Sequence, residues 1–247
     1  MQISELILST LVVFIILGIH EYSHALIAYK LGDNTAKYMG RLTINPLKHL
    51  DPFGAICMIL FHFGWAKPVP VNLHNLKKPK RDFALIALAG PTSNLIMSFL
   101  AVPIFLAIAK IFDGVELPNK FTFYVVQYTL DFVLLFHLIN LGIAIFNLLP
   151  VPPLDGSRII ASVLPTKAYI AYLKHERIIY YILLGWLLLG NLISRLLLSL
   201  PFVSSSAVLS VIARLVSLSN ILSYAIDFIS GLFIDFWQLI PFLNINI

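Results

Sequence analysis

The chain has 247 residues, of which 59% are hydrophobic and only 12% charged, about half the charged share of a soluble domain, and its mean hydropathy is +0.90. That balance excludes an ordinary water-soluble enzyme, and the net charge of +5 comes without the Arg/Lys–aromatic interleaving of a nucleic-acid surface, so it reads as orientation charge beside anionic lipid. One domain is the natural expectation at this length, and a single cysteine, Cys57, rules out an internal disulfide or a Cys-rich metal site.

The first apolar run, Ile3–Leu31, is long enough to cross a bilayer. It lacks a basic leader and a small-residue cleavage site, so a retained helix is expected rather than a signal peptide. Inside it lies His20-Glu21-Tyr22-Ser23-His24. On a helix, His20 and His24 fall one turn apart on one face, where both imidazoles reach one metal ion, and Glu21 lies beside them as a base for water. Three ionisable side chains at one turn of a span are costly, which implies a site; the bland alternative is two histidines hydrogen-bonded in a bundle core.

The loop from Gly32 to Arg81 is basic and unusual. Phe53–Trp65, with Gly54, His62 and Gly64, is too short and interrupted to span, and Lys67–Asn72 is expected to be extended because Pro68 and Pro70 bias their predecessors away from helix. A re-entrant or β-hairpin element is expected here, with a surface amphipathic piece as the alternative. Further spans follow at Phe83–Phe112, Phe121–Leu149 and Ile178–Leu200, the first two joined by a short turn, Asp113 to Lys120. After Pro201, Val203–Val216 and Ile221–Ile240 read either as one span plus an interfacial helix or as two tilted spans. The fold class is therefore an all-α polytopic membrane protein, a helical bundle of five or six spans. It forms one integral-membrane domain over residues 1–247, with a core of about 3–200 and a hydrophobic extension at 201–247 of unassigned role.

Lysines and arginines crowd the loops Leu31–Arg81 and Pro150–Arg177, while the turn between them in space carries only Lys110 and Lys120. The charge asymmetry places the N-terminus outside and both basic loops in the cytoplasm. Two histidines do not complete a catalytic zinc site, which usually takes three protein ligands. The candidates are His49, His62, His74, His175, Asp131, His137 and Asp155. Topology favours Asp155, because the first and third spans end at the same membrane face, whereas Asp131 lies toward the other. The competing role for Asp155 is an N-cap of a helix at Gly156–Val163.

Together these pieces resemble the site-2 protease family of intramembrane zinc metalloproteases. The resemblance rests on His20-Glu21-Tyr22-Ser23-His24-Ala25, on Gly90-Pro91-Thr92-Ser93-Asn94, on Gly64 through Asn72, and on Asn147 through Asp155-Gly156. It covers roughly Leu11 to Ile160 and is similar to a compact member without PDZ or CBS domain. It implies that His20, His24 and Asp155 hold one zinc ion per chain, that Glu21 is the catalytic base, and that Asn94 and Asn147 serve as oxyanion or substrate-positioning residues. The substrate it implies is a transmembrane protein or peptide cut within or near the bilayer, and the setting is a prokaryotic inner membrane with the active site toward the cytoplasm. The alternatives are a metal-handling transporter and a catalytically inactive scaffold of the same fold. Substrate identity, a regulatory partner and homo-oligomerisation are not readable from these residues.

Overall fold

The computed structural model describes residues 3–54 and 66–244. Helix α1 (Ile3–Lys30) is an uninterrupted apolar stretch without proline. It ends where Gly32 takes a φ of +107°, letting the Asp33 amide bond back to the Ala28 carbonyl at 2.9 Å, a closure that favours glycine. A single turn, α2 (Thr35–Tyr38), follows.

The chain then folds back along α1. A Cβ on Gly18 would lie 2.8 Å from the Ile44 carbonyl oxygen and 3.3 Å from Pro46 Cα, so α1 and this loop meet closely there. Gly18 is twelve residues before Lys30, about 18 Å up the helix axis, and two residues before His20. Leu50 pairs antiparallel with Ala66, and the Lys67 amide donates to the His49 carbonyl at 2.8 Å. The outgoing and returning legs therefore run side by side at the depth of the His-Glu-His motif, as a re-entrant hairpin would. The expected tip of that element, including Cys57, His62, Gly64 and Trp65, lies outside the described residues.

Helix α3 (Pro79–Phe112) begins four residues earlier than the hydrophobic pattern suggests. Pro79 loses nothing at the first helical position, and Asp82 accepts the Lys78 amide at 2.8 Å. Helix α4 (Lys120–Asn147) is capped by Asn119, whose side chain accepts the Thr122 amide. Two short helices, α5 (Asp155–Val163) and α6 (Thr166–Lys174), lead to α7 (Glu176–Leu198). The tail forms α8 (Pro201–Ser204), α9 (Ala207–Leu215) and α10 (Leu218–Gln238). At nine residues α9 is too short to cross a bilayer, so the tail follows the first of its two expected readings. Among the described residues, five helices (α1, α3, α4, α7 and α10) are long and apolar enough to span.

Helix α3 is the centre of the bundle, packing on α1, α4, α5 and α10. The middle of its buried face, from Ala87 through Gly90, Pro91, Asn94 and Ser98 to Ala101, is small or polar and lets helices approach where lipid supplies no hydrophobic drive, and Ile86, Val102 and Leu106 are buried at its two ends. Large apolar side chains face outward instead, Phe121 at 77% and Leu239 at 79% exposed, an arrangement suited to acyl chains rather than water.

Candidate metal centre

His20 and His24 project from one face of α1 with ring centroids 4.7 Å apart and planes at 83°. The structure also shows what holds each ring. His24 Nδ1 lies 2.7 Å from the Ile86 carbonyl oxygen. A carbonyl only accepts, so that nitrogen carries the proton and Nε2 keeps its lone pair. His20 Nδ1 faces Asn94 Oδ1 at 3.3 Å, which assigns the same tautomer to the first ring. Both outer nitrogens are thus anchored on α3, the arrangement that orients metal-binding imidazoles.

The two Nε2 atoms are 3.1 Å apart, and Asp155 Oδ2 lies 3.2 Å from His20 Nε2 and 3.3 Å from His24 Nε2. Asp155 opens α5, the N-cap position is Leu154, and no side chain caps the helix. The carboxylate is turned to the histidines rather than to its own helix. Asp155 reaches the site because Gly156 allows a tight turn: a Cβ there would fall 2.3 Å from the Leu148 carbonyl oxygen and 2.4 Å from that of Leu149.

Three ligand atoms, all within 4.8 Å of one another, therefore converge with their lone pairs. A divalent cation reconciles three such acceptors at once, and a His, His, carboxylate set is one that zinc accepts. Gly90 supplies the room. A Cβ on it would stand 2.4 Å from His24 Nε2 and 2.6 Å from His20 Nε2, so any side chain would intrude on the converging atoms.

Glu21 lies outside the ligand cluster. Its Oε2 accepts the Val69 amide at 3.1 Å, which ties it to the returning leg of the hairpin. The ends of that leg are held by two residues that sequence reasoning missed. Arg41 donates to the Lys67 and Pro68 carbonyls, and Asp33 accepts the Asn72 amide at 2.7 Å. The other candidates lie elsewhere. His49 bonds to the Thr43 carbonyl, His175 to the Ala171 carbonyl, and Asp131 takes a bond from Gln127. His137 joins Ser98 and Ser230, His74 sits in an exposed turn, and Asn147 Nδ2 donates to Ile143 within α4.

Comparison with known proteins addresses the same residues. The sequence profile described as Peptidase family M50 matches residues 8–190. The chain belongs to peptidase family M50, the site-2 protease family. The matched stretch carries both histidines, Glu21 and Asp155, and leaves out α9 and α10. YwhC of Bacillus subtilis (strain 168) is 47% identical over 146 residues, covering 59% of this chain and 64% of YwhC. Rip2 of Mycolicibacterium smegmatis is 31% identical over 144 residues, 57% of this chain and 51% of Rip2; both proteins are named as candidate zinc metalloproteases. Zinc metalloprotease MJ0392 of Methanocaldococcus jannaschii is 28% identical over 168 residues, 68% of this chain and 37% of that protein. The chain thus spans less than two thirds of the length of these relatives. No solved structure matches.

Proposed function

We propose that the protein is an integral-membrane zinc metalloprotease that hydrolyses peptide bonds within or beside transmembrane segments of other membrane proteins. The observation that carries this reading is the convergence of His20 Nε2, His24 Nε2 and Asp155 Oδ2, with Glu21 adjacent but outside the ligand set. These three would hold one zinc ion per chain, and zinc bound there supplies an acidified water and a Lewis acid for the peptide carbonyl. Glu21 takes the proton of the attacking water and returns it to the leaving amine. Asn94 acts from behind the His20 ring, on the nitrogen that faces away from the ligand cluster. Asn147, near the end of α4, is the remaining candidate for a donor to the oxyanion.

A substrate helix hides its carbonyls in its own hydrogen bonds and must unwind before attack. Segment 67–72 offers an extended template beside Glu21. Pro68 and Pro70 carry no N–H, so an incoming strand would donate to carbonyls on those residues and receive nothing from them. The charge of the two basic loops supports a site facing the cytoplasm, in a prokaryotic inner membrane on this reading.

The test compares wild type with Glu21→Gln, measuring bound zinc and cleavage of a model transmembrane peptide. The variant keeps its three ligands, so zinc content is expected to stay near wild type while cleavage falls by at least about 10²-fold, the scale of a lost general base. Undiminished cleavage by the variant would refute the mechanism. Zinc flux without cleavage by either protein would point to a transporter.

A further inference from the structure

The three ligands explain how a metal is held, but not what fixes Glu21, whose carboxylate must face the site to move protons. Its Oε2 accepts the Val69 amide at 3.1 Å, so the direction of that carboxylate depends on the position of a loop backbone 48 residues away in sequence. The two carbonyls preceding that amide, those of Lys67 and Pro68, both accept from the same terminal nitrogen of Arg41.

Arg41 is built for an inward role. Gly40 turns the chain with φ +67°, and the Arg41 amide is tied to the Ala36 carbonyl at 2.8 Å. The residue is 6% exposed, and its Nε is buried without a hydrogen-bond partner. A guanidinium so placed is not a solvated loop charge. Burial disfavours its charged form, and the Glu21 carboxylate opposes that effect as its counter-charge.

Resting on the protease reading of Glu21, we propose that Arg41 is the positioning residue of the catalytic base: it clamps the Lys67 and Pro68 carbonyls so that the Val69 amide meets Glu21 Oε2. Arginine suits this task because its guanidinium is planar, which fixes the directions of the two N–H donors on that one nitrogen, whereas a lysine ammonium rotates freely. Pro68 adds stiffness, since its ring fixes the φ that lies between the two clamped carbonyls, and the second of these shares a planar peptide with the Val69 amide.

The experiment uses the full chain, zinc-loaded in detergent, as wild type, Arg41→Gln, Arg41→Lys, Glu21→Gln and the double variant Arg41→Gln/Glu21→Gln. Zinc content is expected to be unchanged in all, because no variant alters a ligand. Arg41→Gln is expected to lower kcat on a transmembrane peptide by about 10²-fold, the cost typical of a misplaced catalytic group, with KM within about twofold. Arg41→Lys should recover part of that loss. Because Arg41 acts through Glu21, the double variant should cleave no more slowly than Glu21→Gln alone. Amide hydrogen exchange at Val69, read independently of cleavage, should accelerate in Arg41→Gln. Equal multiplicative losses in both Glu21 backgrounds, or unchanged exchange at Val69, would overturn the proposal. If instead wild type cleaves nothing while Arg41→Gln frees the Val69 amide, the clamp stands and the protease reading falls. Should Arg41→Gln fail to fold, Arg41→Lys carries the same comparisons with smaller effects of the same sign.

Discussion

Gly90 and Asn94 sit one turn apart on α3 and serve opposite sides of the same imidazole. Asn94 holds His20 Nδ1, and Gly90 leaves open the space at Nε2. Alanine at position 90 would be the better helix former by about 1 kcal/mol, so propensity alone predicts a gain from Gly90→Ala. The added Cβ would nevertheless stand 2.4 Å from one Nε2 and 2.6 Å from the other. Gly90→Ala is therefore expected to lose zinc while the metal-free protein keeps or gains thermal stability, measured by metal analysis beside a melting curve. Full zinc retention would mean that α3 can withdraw without cost. Asn94→Leu removes the acceptor for His20 and is expected to weaken zinc affinity by about 10- to 100-fold, the usual effect of losing such a partner. His24→Ala and Asp155→Ala should deplete the metal, whereas Asp131→Ala, bonded to Gln127 and away from the cluster, should leave it in place. Of these residues, the histidine pair is legible in the sequence because helical spacing alone brings the rings together. Gly90 was noticed only as part of a motif, since a residue whose contribution is empty space leaves no chemical mark in the chain.

At the scale of elements, the site depends on how the loop after α1 is stapled to that helix. Asp33 is the staple at the helix end: Oδ2 accepts the Asn72 amide at 2.7 Å, and Oδ1 takes Asn75 Nδ2 at 2.8 Å and the Thr35 amide at 3.1 Å. Burial raises its pKa, but the donors from Thr35, Asn75 and Asn72 prevail and lower it. A folded pKa below the unfolded value means that the contribution to stability is complete above the ordinary carboxylate range and is lost as pH falls through the depressed value. The Asn72 amide should accordingly stay protected from hydrogen exchange from neutral pH down past about pH 4 and open only in stronger acid. Asp33→Asn should lower protection where Asp33 is ionised, by about 1.5–3 kcal/mol per lost charged hydrogen bond, and so flatten the acid dependence. Protection lost already between pH 7 and 5 would assign the staple to another group. That residues 67–72 would not be helical was readable because proline restricts its neighbours. Their anchors, Asp33 and Arg41, were not, because each acts on a partner 26 to 39 residues away and has no periodic pattern. Charge did not single out Arg41 either, because that loop is crowded with lysines and arginines.

For the molecule as a whole, hydropathy made the spans legible to within a few residues, since a bilayer-length apolar run is a strong pattern and helix is the form that satisfies its backbone. How the last helix attaches was not legible. Helix α10 docks on α3 through an apolar seam in which Phe99 meets Phe233, Phe236 and Trp237, and adds one polar contact to each neighbour: His137 Nε2 to Ser230 Oγ at 2.8 Å, and Trp237 Nε1 donating to the Phe99 carbonyl at 3.0 Å. His137 also meets Ser98, so one histidine ties three helices together, and what sequence offered as a metal-ligand candidate is a bundle polar contact. The contacts of α3 with α1 and α5 bring His20, His24 and Asp155 together. The side of the membrane that the site faces is predicted from charge. The loops at Leu31–Arg81 and Pro150–Arg177 hold most of the lysines and arginines, and the loop beyond Phe112 holds few. The positive-inside rule predicts that the first two are cytoplasmic. Single-cysteine labelling in a Cys57→Ser background tests this in intact cells with a membrane-impermeant thiol reagent. A cysteine at Glu116 should react from outside, and one at Lys78, the residue preceding α3, only after the membrane is breached. The reverse pattern would turn the site toward the exterior. It would leave the three ligands and Glu21 untouched, but it would require substrates to be cut at the opposite end of their membrane segments.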